Sequence, residues 1–104
     1  MDFQKLKNLV AEASISDDYN VVTDNSRAVA SAGLEYDAAR TLLDVAKRWP
    51  NTEGRHLFID QAVSYGARLE AVATWEEIRE KHERPTEQDK FFYDTRISEI
   101  MNLM

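Results

Sequence analysis

Three features of the 104-residue sequence predict an all-α fold. Apolar residues recur at steps of three and four over most of the chain. Three glycines and two prolines are too few to supply the turns of an all-β chain. Both prolines fall where an apolar stripe ends. The expected architecture is a small helical bundle built on a long antiparallel helical hairpin, about 26–49 and 53–82, with shorter N- and C-terminal helices. Residues 1–104 suit a single helical domain, long enough to bury one core without staples.

The first helix is expected from about Asp2 to Ala13, with Phe3, Leu6, Leu9, Val10 and Ala13 on one stripe and Asp2 as its cap. Residues 14–25 break that pattern. They are rich in Ser, Asp and Asn, carry only negative charge, and read as an acidic linker. In the second helix, Leu34, Ala38, Leu42, Val45 and Trp49 keep helical spacing until Pro50 stops it. Asn51 or Thr52 caps the third, where Phe58, Ala62, Tyr65, Leu69 and Val72 form the seam of a close helix pair. Trp75 and Ile78 then shift the stripe sideways. A 53–82 helix would span roughly 45 Å, so part of it is expected to serve a second chain. Gly33 and Gly66, each among small residues, point to a close crossing of the two long helices. After Pro85, "TEQD" (86–89) has the form of a capping box with Asp89 in the return position. A last helix follows, with Phe92, Tyr93, Ile97, Ile100, Met101 and Met104 on one face.

At an offset of 35, "LEYDAARTLLDVAKRWPNT" (34–52) lies over "LEAVATWEEIREKHERPTE" (69–87), matching Leu-Glu, one alanine and the proline. The pairing resembles tetratricopeptide-type units, helices of similar length closed by proline. Their defining small and aromatic positions do not recur here, and two helices ending in similar turns is the simpler reading.

Net charge is −6, and no basic block exists, so nucleic-acid binding through the phosphate backbone is not expected. The absence of cysteine removes disulfides, thiolate metal sites and a cysteine nucleophile. The start, "MDFQKLKNLVAEAS", has neither the basic opening nor the continuous apolar run of a secretory signal, and no stretch is long enough to span a membrane. A soluble, cytoplasmic protein is expected. No nucleophile elbow or glycine-rich phosphate loop is present, so catalysis is not expected and no cofactor is implied.

Glu53 and His56 have the Glu-x-x-His spacing used in di-iron helical bundles, with Glu35 as a conceivable third ligand. Gly54 inside the motif loosens that frame and no second copy occurs, so a first-turn acid and an ordinary histidine explain the pair. "WEEIREKHER" (75–84) carries Glu77–Lys81 and Glu80–Arg84 in the order that supports an exposed helix. Tyr19, Trp75, Glu76 and Glu80 are the expected partner contacts, the aromatics as anchors. The expected function is a non-catalytic protein–protein interaction protein, a small helical regulator or inhibitor of the phage or mobile-element type. It would act by occupying a partner's surface. A homo-oligomer, in the first instance a dimer, is expected from the long helix and the apolar last stripe. Two other functions fit the composition. One is an oligomeric binder of a small anionic ligand or nucleotide, held by arginines such as Arg27, Arg40, Arg55 and Arg68. The other is a carboxylate-rich metal-binding bundle using Glu35, Glu53 and His56.

Overall fold

Local capping chemistry divides the chain into more helices than its stripes suggest. A computed structural model describes residues 2–104, and these form six α-helices with no strand among them. They are α1 (Phe3–Ile15), α2 (Tyr19–Ser31), α3 (Glu35–Arg48), α4 (Thr52–Ser64), α5 (Arg68–Lys81) and α6 (Glu87–Asn102).

Caps account for most boundaries. The Asp2 carboxylate accepts from the Lys5 N–H at 2.8 Å and opens α1, as expected. Asp18 does the same for α2 through the Asn20 N–H at 2.9 Å. The 14–25 segment is therefore mostly helix, and only residues 16–18 form a loop. Its polar side chains favour turns in isolation, but Tyr19, Val22, Ser26 and Val29 keep helical spacing and pack inward. Arg48 clamps the short loop from α3, donating to the Ser14 carbonyl at 3.1 Å and the Ser16 carbonyl at 2.7 Å. Asn51 caps α4 at 2.6 Å to the Gly54 N–H. Thr86 and Asp89 form the expected reciprocal capping box of α6, at 2.9 and 3.0 Å.

The two long helices of the expected hairpin are each broken once. Gly33 and Gly66 have φ values of +93° and +94°, which an L-residue adopts only at a cost. Each follows the end of a helix and closes it in the same way. Gly33 N–H donates to Ala30 and Leu34 N–H reaches back to Val29; Gly66 N–H donates to Val63 and Ala67 N–H reaches back to Ala62. Neither glycine has another group close to where a Cβ would stand, so neither marks a helix crossing. No described helix exceeds 16 residues, which removes the 45 Å helix as a reason to expect a second chain.

These two turns reveal a repeat in a different register from the one read at offset 35. Tyr19–Ser31 recurs as Thr52–Ser64, and Glu35–Arg48 recurs as Arg68–Lys81, each 33 positions on. In that register Ala38 falls on Ala71, Thr41 on Thr74 and Val45 on Ile78, all buried. Thr41 and Thr74 even make the same bond, each hydroxyl donating to the carbonyl four residues back at 2.8 Å. The recurring unit is a helical hairpin.

Three hairpins, α1–α2, α3–α4 and α5–α6, stack side by side. In one layer α3 lies between α1 and α5, while α2 packs on α3 and α4 on α5. The Cα envelope measures 47 × 29 × 17 Å, a slab about two helices thick. Its main core runs through the second and third hairpins, with Leu42, Val45, Phe58, Ile59 and Trp75 fully enclosed. Trp49 meets Phe58 edge-on at 4.8 Å, and Trp75 meets Phe92 of α6 at 5.6 Å. A smaller core of Leu6, Val29 and Ala38 joins the first hairpin to the second. No described helix is long and apolar enough to cross a membrane.

Candidate functional site

Beside their buried stripes, α3 and α5 each turn a row of mainly polar side chains toward the other. On α3, Tyr36, Arg40, Asp44 and Lys47 advance by four, four and three; on α5, Glu70, Thr74, Glu77 and Lys81 advance by four, three and four. Along most of their length these two rows face each other across a groove of about 350 Å³, floored by Leu43, Ala67 and Thr74. Lys47 and Glu77 also line a second cavity of about 540 Å³, where the loops of the second and third hairpins meet. The two spaces are therefore neighbours along one line, joined at an ion bridge. Lys47 Nζ stands 3.0 Å from one Glu77 oxygen, and Lys81 Nζ stands 2.9 Å from the other. Hydrogen bonding to Lys81, then to Lys47, holds the Glu77 carboxyl below the usual range.

The larger cavity is rich in cations. Lys47, Arg55, Lys81 and Arg84 line it against Glu77 and Glu83. Arg55 is fixed by its Nε, which donates to the Trp49 carbonyl at 2.6 Å. The expected Glu80–Arg84 helical pair does not form among the described residues, because α5 ends at Lys81 and Arg84 lies beyond it. At the far wall the Tyr93 hydroxyl lies 2.7 Å from His82 Nδ1, while His82 Nε2 is 3.7 Å from Asp89. Burial first, then the nearby Asp89 charge, pushes the Tyr93 hydroxyl above its ordinary value, against an opposing effect of Arg55. Asp89 is held low by the Thr86 backbone N–H, then by the Thr86 side chain, with a smaller contribution from His82.

Several expected contacts lie elsewhere. Trp75 is fully buried in the core and cannot serve as a partner anchor; its apparent departure from the seam came from counting through the break at Gly66. Tyr19 is half-buried, stacked on Phe58 at 5.1 Å. Glu76 and Glu80 are exposed one turn apart on α5, but neither lines the groove or the cavity. Of the four arginines considered for an anion, Arg40 and Arg55 line these spaces. Arg27 pairs with Asp24 at 3.8 Å, and Arg68 donates to the Leu103 carbonyl at 3.1 Å.

The metal candidates do not assemble within one chain. Glu35 and Glu53 open α3 and α4, which run in opposite directions from the Pro50 turn, so they lie about 20 Å apart. His56 sits against Trp75 and Phe92, with Nε2 3.0 Å from Asp60 and 3.1 Å from Arg96. Among the described residues, no group of three or more His, Cys, Asp or Glu side chains converges as metal ligands would. Comparison with known protein families, curated proteins and solved structures gives no match to this chain.

Proposed function

We propose that this protein is a non-catalytic interaction module that holds an extended, acidic segment of a partner protein in the groove between α3 and α5. The observation that carries the reading is the continuity of the groove with the cationic cavity through the Lys47–Glu77 bridge. Stacked helical hairpins commonly present such elongated surfaces to extended ligands. From Tyr36 to Lys47, α3 advances about 16 Å, which matches about five residues of extended chain. The groove itself sets Arg40 and Lys47 against Asp44, Glu70 and Glu77. The surplus of cations lies at its end, where Arg55, Lys81 and Arg84 favour acidic side chains in a protein whose overall charge of −6 would otherwise repel them.

A binding role also agrees with the chemistry of the cavity. The side chains at the bridge hold one another in ion pairs. Burial and the Asp89 charge push the Tyr93 hydroxyl on the cavity wall above its ordinary value, the opposite direction from an activated nucleophile. The protein thus retains the character of a small regulator that acts by occupying a partner's surface. Its contact moves from the 75–84 face to the α3–α5 groove.

An array of acidic heptapeptides, followed by fluorescence anisotropy on the best binders, tests this placement. Arg40→Glu is expected to weaken binding at least tenfold, while Glu76→Lys with Glu80→Lys leaves it within about twofold. Absence of any binding peptide, or a dependence on Glu76 and Glu80 with none on Arg40, would overturn the reading.

A further inference from the structure

The cavity where the second and third hairpin loops meet has a charge inventory suited to a particular anion. Lys47, Arg55, Lys81 and Arg84 outnumber Glu77 and Glu83 by two, leaving the lining at +2 before His82 is counted. Glu77 is shared between two ammonium groups, each of which has donors left over. Arg55 uses its Nε on the Trp49 carbonyl, so its two terminal nitrogens remain available as a fork. Thr52, the first residue of the 13-residue helix α4, also lines the cavity. Asn51 takes the Gly54 N–H, which leaves the Thr52 and Glu53 N–H groups at the positive end of the helix without an intrahelical acceptor.

We infer that this cavity is a site for a phosphate monoester dianion. A carboxylate would balance only half of the excess charge and offer two acceptor oxygens. A phosphate balances all of it and presents three oxygens to two guanidinium forks, two ammonium groups and a helix N-terminus. The cavity volume of about 540 Å³ leaves room for the atoms that carry the phosphate. The inference rests on the groove reading in one respect: a phosphorylated side chain here would belong to the segment lying between α3 and α5.

The test uses an acidic peptide that binds the groove, the same peptide with one serine phosphorylated, and inorganic phosphate alone. Each is titrated against the wild-type protein, Arg84→Gln and the distant charge control Arg27→Gln. Arg84 is exposed and makes no ion pair among the described residues, so its loss should leave the melting temperature unchanged. The expected result is a gain of at least tenfold for the phosphopeptide over the plain peptide, abolished by Arg84→Gln and kept by Arg27→Gln. Binding of inorganic phosphate lost in Arg84→Gln, without a gain for the phosphopeptide, would support the site and identify the source as a free phosphate. If the plain peptide binds and neither phosphate form shows an effect specific to Arg84, the phosphate inference is overturned while the groove reading stands. If no peptide binds but inorganic phosphate does so through Arg84, the groove reading fails and the site stands.

Discussion

Replacing Gly54 by alanine should destabilise the protein, although helix propensity alone predicts the reverse. Gly54 is the third residue of α4, where alanine would ordinarily gain up to about 1 kcal/mol. Here a Cβ would overlap Cδ1 and Nε1 of the Trp49 indole and stand 3.0 Å from the Asn51 side-chain oxygen. Two relaxations are open. Swinging Trp49 out of the core would expose most of an indole that is now 6% accessible and packed on Phe58. At roughly 150–250 Å² and 25 cal/mol per Å², that costs about 4–6 kcal/mol. Shifting the 49–51 turn instead costs about 1–3 kcal/mol, the usual range for overpacking, and strains the Arg55–Trp49 and Asn51–Gly54 hydrogen bonds. The second route is cheaper. After the propensity gain is credited, Gly54→Ala should lose up to about 2 kcal/mol, each kcal/mol lowering the melting temperature by about 4–8 °C in a protein of this size. Urea and thermal unfolding followed by circular dichroism would measure it. In a Trp49→Leu background, which removes the obstructing ring, the same substitution should be neutral or stabilising. A coupling energy below about 0.5 kcal/mol, or a Gly54→Ala protein more stable than wild type, would refute the steric account.

Other perturbations follow from the same geometry. Gly33→Ala and Gly66→Ala should each cost about 1–2 kcal/mol in urea unfolding, and by similar amounts, because both are penalised by backbone conformation and by no contact. Asn51→Ala and Thr86→Ala should each lose about 1 kcal/mol by the same measurement, as helix caps do. Tyr93 has a raised hydroxyl pKa, so its contribution is fully present below its ordinary value near 10 and fades as pH rises through the raised value. Stability measured from pH 9 to 12 should therefore fall less steeply in Tyr93→Phe than in wild type. Asp89 has the opposite sign: its carboxyl is depressed, so its contribution is lost only as pH falls below the usual 3.8, and Asp89→Asn should flatten that acid limb.

What the sequence made legible was the chemistry that a few neighbouring residues complete among themselves. Asp2, Asn51, Pro50 and the Thr86–Asp89 box act within one turn, and each stands where its residue type requires. The breaks at Gly33 and Gly66 escaped for a physical reason. The residue after such a glycine is commonly apolar, because it packs back on the helix it ends; Leu34 and Ala67 fill that place. The apolar stripe therefore runs on through the turn, and a stop resembles a small residue at a helix crossing. Once α5 is counted from Arg68 alone, Ala71, Thr74, Trp75 and Ile78 form its buried stripe, and Trp75 needs no partner to explain it.

The groove was hidden by the same error of register. Glu77 shows both what local rules reach and where they stop. Its bond to Lys81, four residues on, was legible and forms at 2.9 Å. Its bond to Lys47, thirty positions earlier, forms at 3.0 Å only because α3 and α5 are the same element of successive hairpins. An offset of 35 places Lys47 opposite His82 and leaves that carboxylate with one partner; an offset of 33 sets Asp44 on Glu77 and carries Lys47 across the groove between them. The bridge that joins groove and cavity is thus a consequence of hairpin stacking, and it becomes visible only when the period is read from the glycines that close the helices.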